Sequence, residues 1–167
     1  LSSNRLQNIS TLEKLTNIER LDLSYNQSLR NLAPLKKLTN IERLVLSSNN
    51  LQDVSFLSFL KKLKDLNLSD NLIQDISFLE SLKVLETLTL SNNLVSNVSA
   101  LKKLTSLKSL NLSYNKQIND VAPLQLLTNL ERLLLSNNNL QSISPLITLV
   151  SLERLLLSSN NLQDISS

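Results

Sequence analysis

An asparagine recurs along this chain at nearly constant spacing: Asn4, Asn26, Asn49, Asn71, Asn93, Asn115, Asn138 and Asn160, in steps of 22, 23, 22, 22, 22, 23 and 22 residues. From Asn26 onward each closes the same frame, Leu-x-x-Leu-x-Leu-x-x-Asn, with Ile at the first place in two copies. Asn4 closes a truncated form, Leu1-Ser2-Ser3-Asn4. A period of this length that covers the whole chain specifies a solenoid, in which each unit buries its apolar side against its neighbours. A solenoid presents a surface, so the function to look for is binding.

Frame positions are counted from the first Leu or Ile: Ile18, Ile41, Leu63, Leu85, Leu107, Leu130 and Leu152. This divides one domain, 1–167, into a partial repeat 1–17, repeats 18–40, 41–62, 63–84, 85–106, 107–129 and 130–151, and a partial repeat 152–167. Positions 4 and 6 are always Leu, as in Leu21 and Leu23, and that alternation predicts a short half-buried strand. Strands separated by about 22 residues must lie parallel. At position 9 the chain turns inward. The Asn amide there offers a donor and an acceptor to main-chain groups that would otherwise be buried unpaired, at about 1–3 kcal/mol each. The asparagine column is therefore framework.

Positions 11 and 14 are again apolar, as in Leu51 and Val54. Position 13 is Asn, Asp or Ser in every copy: Asn8, Asn31, Asp53, Asp75, Asn97, Asp120, Ser142 and Asp164. Position 15 is Ser or Ala, after which Leu recurs three residues apart, as in Leu57, Leu60 and Leu63. A short helix or 3-10 turn is expected from position 15, with its Ser as N-cap. Ser10–Glu13 and Ser77–Glu80 fit the capping box. Ser144-Pro145 places proline at the first helical position, as do Pro34 and Pro123 after Ala. The two 23-residue steps each carry one extra residue just after a Ser-Tyr-Asn, at Asn26 and Asn115, and both continue into Ala-Pro-Leu. Their separation of four repeats points to duplication of a four-repeat block.

Composition narrows the chemistry. The chain has no Cys, His, Gly, Met or Trp. Disulfides and thiolate metal sites cannot form, the commonest general base is missing, and no Gly-rich phosphate loop can be written. An enzyme is improbable on these grounds, and neither a cofactor nor a metal is expected. No apolar run is long enough for a membrane-spanning helix, and no signal peptide is visible. The net charge of +3 is too small to imply nucleic acid.

Strand positions 3, 5 and 7 should point away from the core. Position 7 is Ser in every copy, either a hydroxyl ladder for a polar ligand or a small side chain that fits a tight strand end; we take the second reading. With no His or suitably placed Lys, nothing activates these hydroxyls as nucleophiles. Position 3 reads Arg20, Arg43, Asp65, Thr87, Ser109, Arg132, Arg154, and position 5 reads Asp22, Val45, Asn67, Thr89, Asn111, Leu134, Leu156. Position 8 adds Tyr25 and Tyr114. These variable columns are the candidate partner-binding residues: Arg20, Asp22, Tyr25, Arg43, Val45, Asp65, Asn67, Thr89, Asn111, Tyr114, Arg132, Leu134, Arg154 and Leu156. Arg and Tyr lead because binding hot spots favour them, while Glu-Arg neighbours such as Glu131-Arg132 also fit an ordinary solvated face. Lys36, Lys37, Lys61, Lys62, Lys83, Lys102 and Lys103 are assigned to the opposite, convex side, without the aromatic platform that single-stranded nucleic acid uses. Phe56, Phe59 and Phe78 are expected to cluster between adjacent repeats. Five Asn-x-Ser triplets (Asn8, Asn26, Asn67, Asn97, Asn111) are what a Ser- and Asn-rich repeat produces by chance.

The frame and its 22-residue length resemble the leucine-rich repeat superfamily over the whole chain. Segments such as Ile143-Ser-Pro-Leu146 followed by Leu149 are similar to its short-repeat class, which includes bacterial internalin-like surface proteins and eukaryotic regulators of type-1 protein phosphatase. The resemblance implies a curved, right-handed α/β solenoid with a parallel sheet on the concave side, and a protein partner held by that side. Such domains carry terminal caps, and neither end of this chain shows a recognisable one, so it is expected to be a monomeric module from a longer protein, or one whose ends a partner covers. The function expected is a non-enzymatic protein-binding scaffold, with a surface or adhesion protein as its setting. An intracellular phosphatase-regulator-like adaptor and a purely structural spacer are the alternatives, which leaves the compartment open between cell surface and cytoplasm.

Overall fold

The computed structural model describes residues 1–163, so Asp164 lies outside the described residues. Seven three-residue strands form one parallel sheet in chain order: β1 Arg20–Asp22, β2 Arg43–Val45, β3 Asp65–Asn67, β4 Thr87–Thr89, β5 Ser109–Asn111, β6 Arg132–Leu134 and β7 Arg154–Leu156. The register joins like positions throughout, for instance Leu21, Leu44, Leu66, Leu88, Leu110, Leu133 and Leu155. The frame read from the sequence is thus the register of the sheet, and the extra residues of the long repeats lie outside it. The Leu at positions 4 and 6 are almost wholly buried from Leu23 to Leu135, with the apolar residues at positions 11 and 14 packed behind them.

On the far side of each unit runs a five-residue 3-10 turn: Ser10–Lys14, Ala33–Lys37, Ser55–Phe59, Ser77–Ser81, Ser99–Lys103, Ala122–Leu126 and Ser144–Thr148. A 3-10 turn has three residues per turn, so side chains three apart eclipse on one face. The Leu57–Leu60–Leu63 spacing matches that geometry, and all three are buried.

Capping differs from expectation. Position 15 opens the turn rather than capping it, and the residue before it, such as Val54, has no side chain that caps. The free amide at position 15 is instead taken by the side chain of position 13. Asn8, Asn31, Asp53, Asp75, Asn97 and Asp120 accept from it at 2.8–3.0 Å, and Ser142 does so at 3.2 Å. This is an Asx turn, with the side chain bonding the backbone two residues on. The predicted capping boxes do not form: the Ser77 hydroxyl donates to Asp75 (3.0 Å) and Glu80 pairs with Lys103 (2.7 Å). Pro34, Pro123 and Pro145 sit at the second residue of their turns, one place later than predicted.

The asparagine column behaves as framework. Asn26, Asn49 and Asn115 are fully buried, and each amide group donates to carbonyls of its own repeat and the one before. The position-11 amide of each 22-residue repeat donates to the Asn carbonyl oxygen of the following repeat, as with Leu51 to Asn71 (2.9 Å) and Ile73 to Asn93 (3.0 Å). In the two long repeats the position-11 amides of Leu29 and Ile118 close local turns onto Asn26 and Asn115 instead (2.8 and 2.9 Å). Asn49 and Asn138 then accept the amides of Asn26 and Asn115 themselves. The inserted residue is thus taken up within a local turn, and the column stays unbroken. Asn4 is the exception: exposed, it bonds only to Leu1 and Ser2.

Candidate functional site

The sheet's outer face carries frame positions 3 and 5, and the common register makes each a straight column. Adjacent strands lie about 4.8 Å apart, so the residues within a column touch or nearly touch. All fourteen candidate residues are at least partly accessible. The N-terminal end groups Arg20, Arg43, Asp22 and Asp65, with Arg43 bridged to Asp65 at 3.3 Å. Partial burial pushes the Asp22 carboxyl up, but hydrogen bonds from the Ser24 hydroxyl and amide, together with the Arg43 guanidinium, hold it below the ordinary Asp range. The centre is small and neutral: Asn67, Thr89 and Asn111 with Thr87 and Ser109. The C-terminal end places Arg132 beside Arg154 and Leu134 beside Leu156.

Position 7 is corrected. Ser24, Ser47, Ser69 and Ser113 are buried, because the strand ends at position 5 and the chain has already begun its inward bend. The Ser24 and Ser69 hydroxyls donate to Asp22 (2.6 Å) and Asn67 (2.7 Å), and all three position-5 Asx residues, Asp22, Asn67 and Asn111, also accept the amide two residues on. These serines form a small-residue strand end, with Ser24, Ser69 and Ser113 tied to the base of column 5, whereas the more accessible Ser158 hydroxyl donates to Ser136 (2.9 Å).

The bend passes through a left-handed residue at position 8 in every copy: Ser3, Tyr25, Ser48, Asp70, Asn92, Tyr114, Asn137 and Ser159 all have φ between 53° and 62°. Glycine is the usual occupant of this region, and this chain has none. Ser, Asn and Asp are short and polar, and Asn and Asp tolerate this conformation. Tyr25 and Tyr114 lack that advantage, yet stand exposed at the rim of the outer face (59% and 53%).

Position 2 was missed as a group. It reads Glu19, Glu42, Lys64, Glu86, Lys108, Glu131, Glu153, a flanking row in which Lys64 bridges Glu42 (3.0 Å) and Lys108 bridges Glu86 (2.9 Å). Glu86 is held low by its hydrogen bond to Lys108, and Lys108 is raised by the same bond with a smaller contribution from Glu131. The frame itself carried the signal, since a column alternating in sign predicts ladder pairing.

The convex lysines are exposed as expected, with Lys62 on Asn40 (2.8 Å) and Lys103 on Glu80. Phe78 is buried and Phe56 packs against the core, but Phe59 is 58% exposed and does not join them. Among the acceptor triplets, Asn26 is fully buried, as its framework role requires. Among the described residues no cluster of acidic side chains could hold a metal ion, and no helix is long and apolar enough to cross a membrane.

Comparison with known proteins follows the same frame. A family model described as Leucine Rich repeats (2 copies) matches residues 39–81 and 83–126, and one described as Leucine Rich Repeat matches 129–149. A comparison with curated proteins finds no match. Among solved structures, an internalin (inlF) of Listeria monocytogenes superposes with a TM-score of 0.93 at 33% identity, over 96% of this chain and 47% of that one. An internalin C2 of the same organism gives 0.90 at 37% identity, over 93% and 68%. TLR13 in a complex with ssRNA13 gives 0.77 at 30% identity, over 94% and 24%. The chain thus spans about half the length of the first internalin and two thirds of the second. With the frame, the register and the asparagine column all in agreement, the chain belongs to the leucine-rich repeat family, whose members are in general protein-interaction scaffolds.

Proposed function

We propose that this chain is a non-enzymatic scaffold that holds a protein partner on its concave sheet face, through columns 3 and 5 and the rim tyrosines, as part of a surface or adhesion protein. The observation that carries this is the division within each repeat. Positions 4, 6, 9, 11 and 14 are consumed by core and column, whereas positions 3 and 5 are accessible, in register, and vary from strand to strand. Variation on a rigid face can specify a partner; the framework positions cannot. Likeness to two internalins supports the surface-protein setting. The face has little acidic or aromatic character, which favours this setting over a phosphatase-regulator-like adaptor.

The test is site-specific photocrosslinking. A photoreactive residue at Thr89 or Asn111 should trap a protein partner, and one at Lys61 or Lys102 on the convex side should not. Changing Arg132, Leu134 and Leu156 together should weaken capture. Crosslinks confined to the convex positions, or capture indifferent to that triple change, would remove the concave-face assignment.

A further inference from the structure

The two ends of the outer face carry the same pair of arginines in different surroundings. Arg20 and Arg43 stand in register on β1 and β2, and Arg132 and Arg154 stand in register on β6 and β7. Like charges directly opposite on neighbouring strands are destabilising. At the N-terminal end the chain supplies its own remedy: Asp65 bridges Arg43, and Asp22 lies within the field of Arg43. Two arginines meet two carboxylates on one face.

The C-terminal end shows no such remedy among the described residues. Column 5 there holds Leu134 and Leu156 where the other end holds Asp22 and Val45. Among the described residues neither Arg132 nor Arg154 forms an ion pair. The carboxylates one residue earlier, Glu131 and Glu153, occupy the flanking position-2 row, where Glu131 acts on Lys108. Two exposed guanidiniums and two partly exposed leucines therefore share one patch, and no acid among the described residues pairs with either arginine. Guanidinium is the side chain suited to binding a carboxylate through two parallel hydrogen bonds, and an aliphatic neighbour is what an apolar anchor needs to exclude water around it.

Building on the concave-face proposal, we propose that the β6–β7 patch is where binding energy concentrates, and that it takes a protein segment with Asp or Glu flanking an aliphatic or aromatic side chain. The carboxylates neutralise Arg132 and Arg154, and the apolar side chain covers Leu134 and Leu156. The N-terminal arginine pair, where Asp65 already bridges Arg43 and Asp22 shares the face, contributes little.

The probe is a displayed library of random short peptides selected on the intact chain. Enriched peptides should pair Asp or Glu with a neighbouring Leu, Phe or Trp. They should lose about tenfold or more in affinity against R132Q/R154Q, and likewise against L134A/L156A, but not against R20Q/R43Q. All six side chains are at least partly exposed, and unfolding curves on each variant confirm that it folds. Peptides indifferent to R132Q/R154Q yet weakened by Thr89→Arg would overturn this inference while leaving the concave face as the binding side. Peptides indifferent to both changes would remove both proposals. Failure to enrich acidic–apolar peptides also counts against the patch. Oligouridylate RNA that binds through Arg132 and Arg154 in their place would assign the patch to nucleic acid instead.

Discussion

Replacing Asn71 by alanine removes one rung from the middle of the asparagine column, and the structure states what is lost. The Asn71 amide group donates to the carbonyls of Leu46, Leu68 and Ser69, and each of those keeps another donor: Asn49, Asn93 and the Ser48 amide. The Asn71 carbonyl oxygen accepts the amides of Asn49 (3.2 Å) and Leu51 (2.9 Å), and among the described residues neither has a second acceptor. Two buried amides are thus orphaned, at about 1–3 kcal/mol each, so the substitution should cost about 2–6 kcal/mol. Denaturant unfolding followed by circular dichroism gives the total. Native-state hydrogen exchange should localise it, with the Asn49 and Leu51 amides losing protection first, since stability in a repeat array is a nearest-neighbour property. Asn4→Ala is the matched control: Asn4 is exposed and its loss should fall within about 0.5 kcal/mol. A cost for Asn71→Ala below about 1 kcal/mol, with both amides still protected, would refute the claim that the column is held by its own hydrogen bonds.

Asp53→Ala should destabilise by roughly 0.5–2 kcal/mol at neutral pH, the usual range for a lost cap. The Ser55 amide and hydroxyl hold the Asp53 carboxyl below its ordinary value, so this stability is complete above the unfolded pKa of about 3.9 and is lost as pH falls through the lower folded one. Parent and variant melting curves should converge in strong acid, and a gap that persisted there would show the cap is not ionic. Tyr114→Asn should stabilise by about 0.5–1 kcal/mol, because Asn tolerates φ of 62° better than Tyr. If Tyr114 also contacts the partner, the same change should weaken binding, and a loss of stability would show that the tyrosine is held by packing.

Much of the fold was legible because its main constraint is periodic. The interval between asparagines sets the sheet register, and Leu spaced by three sets the 3-10 turns. What was not legible depends on where short segments end. Ser24 and Ser69 alternate outward on paper, but a three-residue strand stops before them and the left-handed residue that follows turns them in. Ser77 looks like an N-cap, yet the turn begins on it and Asp75 takes its amide. The Lys64–Glu42 and Lys108–Glu86 bridges join residues 22 apart and emerge only when the repeats are aligned in columns. Of the candidate site, accessibility and register were foreseeable from the frame. The difference between the arginine pair that has Asp65 on Arg43 and the pair with no ion partner among the described residues was not, because it rests on side-chain partners across strands.

The central claim is that each repeat separates framework from recognition. Thr89 and Asn93 test it within one repeat. Thr89 is half-buried on the outer face of β4, and among the described residues its side chain makes no hydrogen bond; Asn93 is buried and accepts the Ile73 amide at 3.0 Å. The measurement pairs the unfolding free energy of Thr89→Arg and Asn93→Ala with each variant's affinity for a peptide selected on the parent chain. Asn93→Ala should lose about 1–3 kcal/mol of stability and keep its affinity wherever it is fully folded. Thr89→Arg should keep its stability and change its affinity. The opposite pattern, with binding lost at Asn93 in a fully folded chain and unaffected at Thr89, would contradict the account.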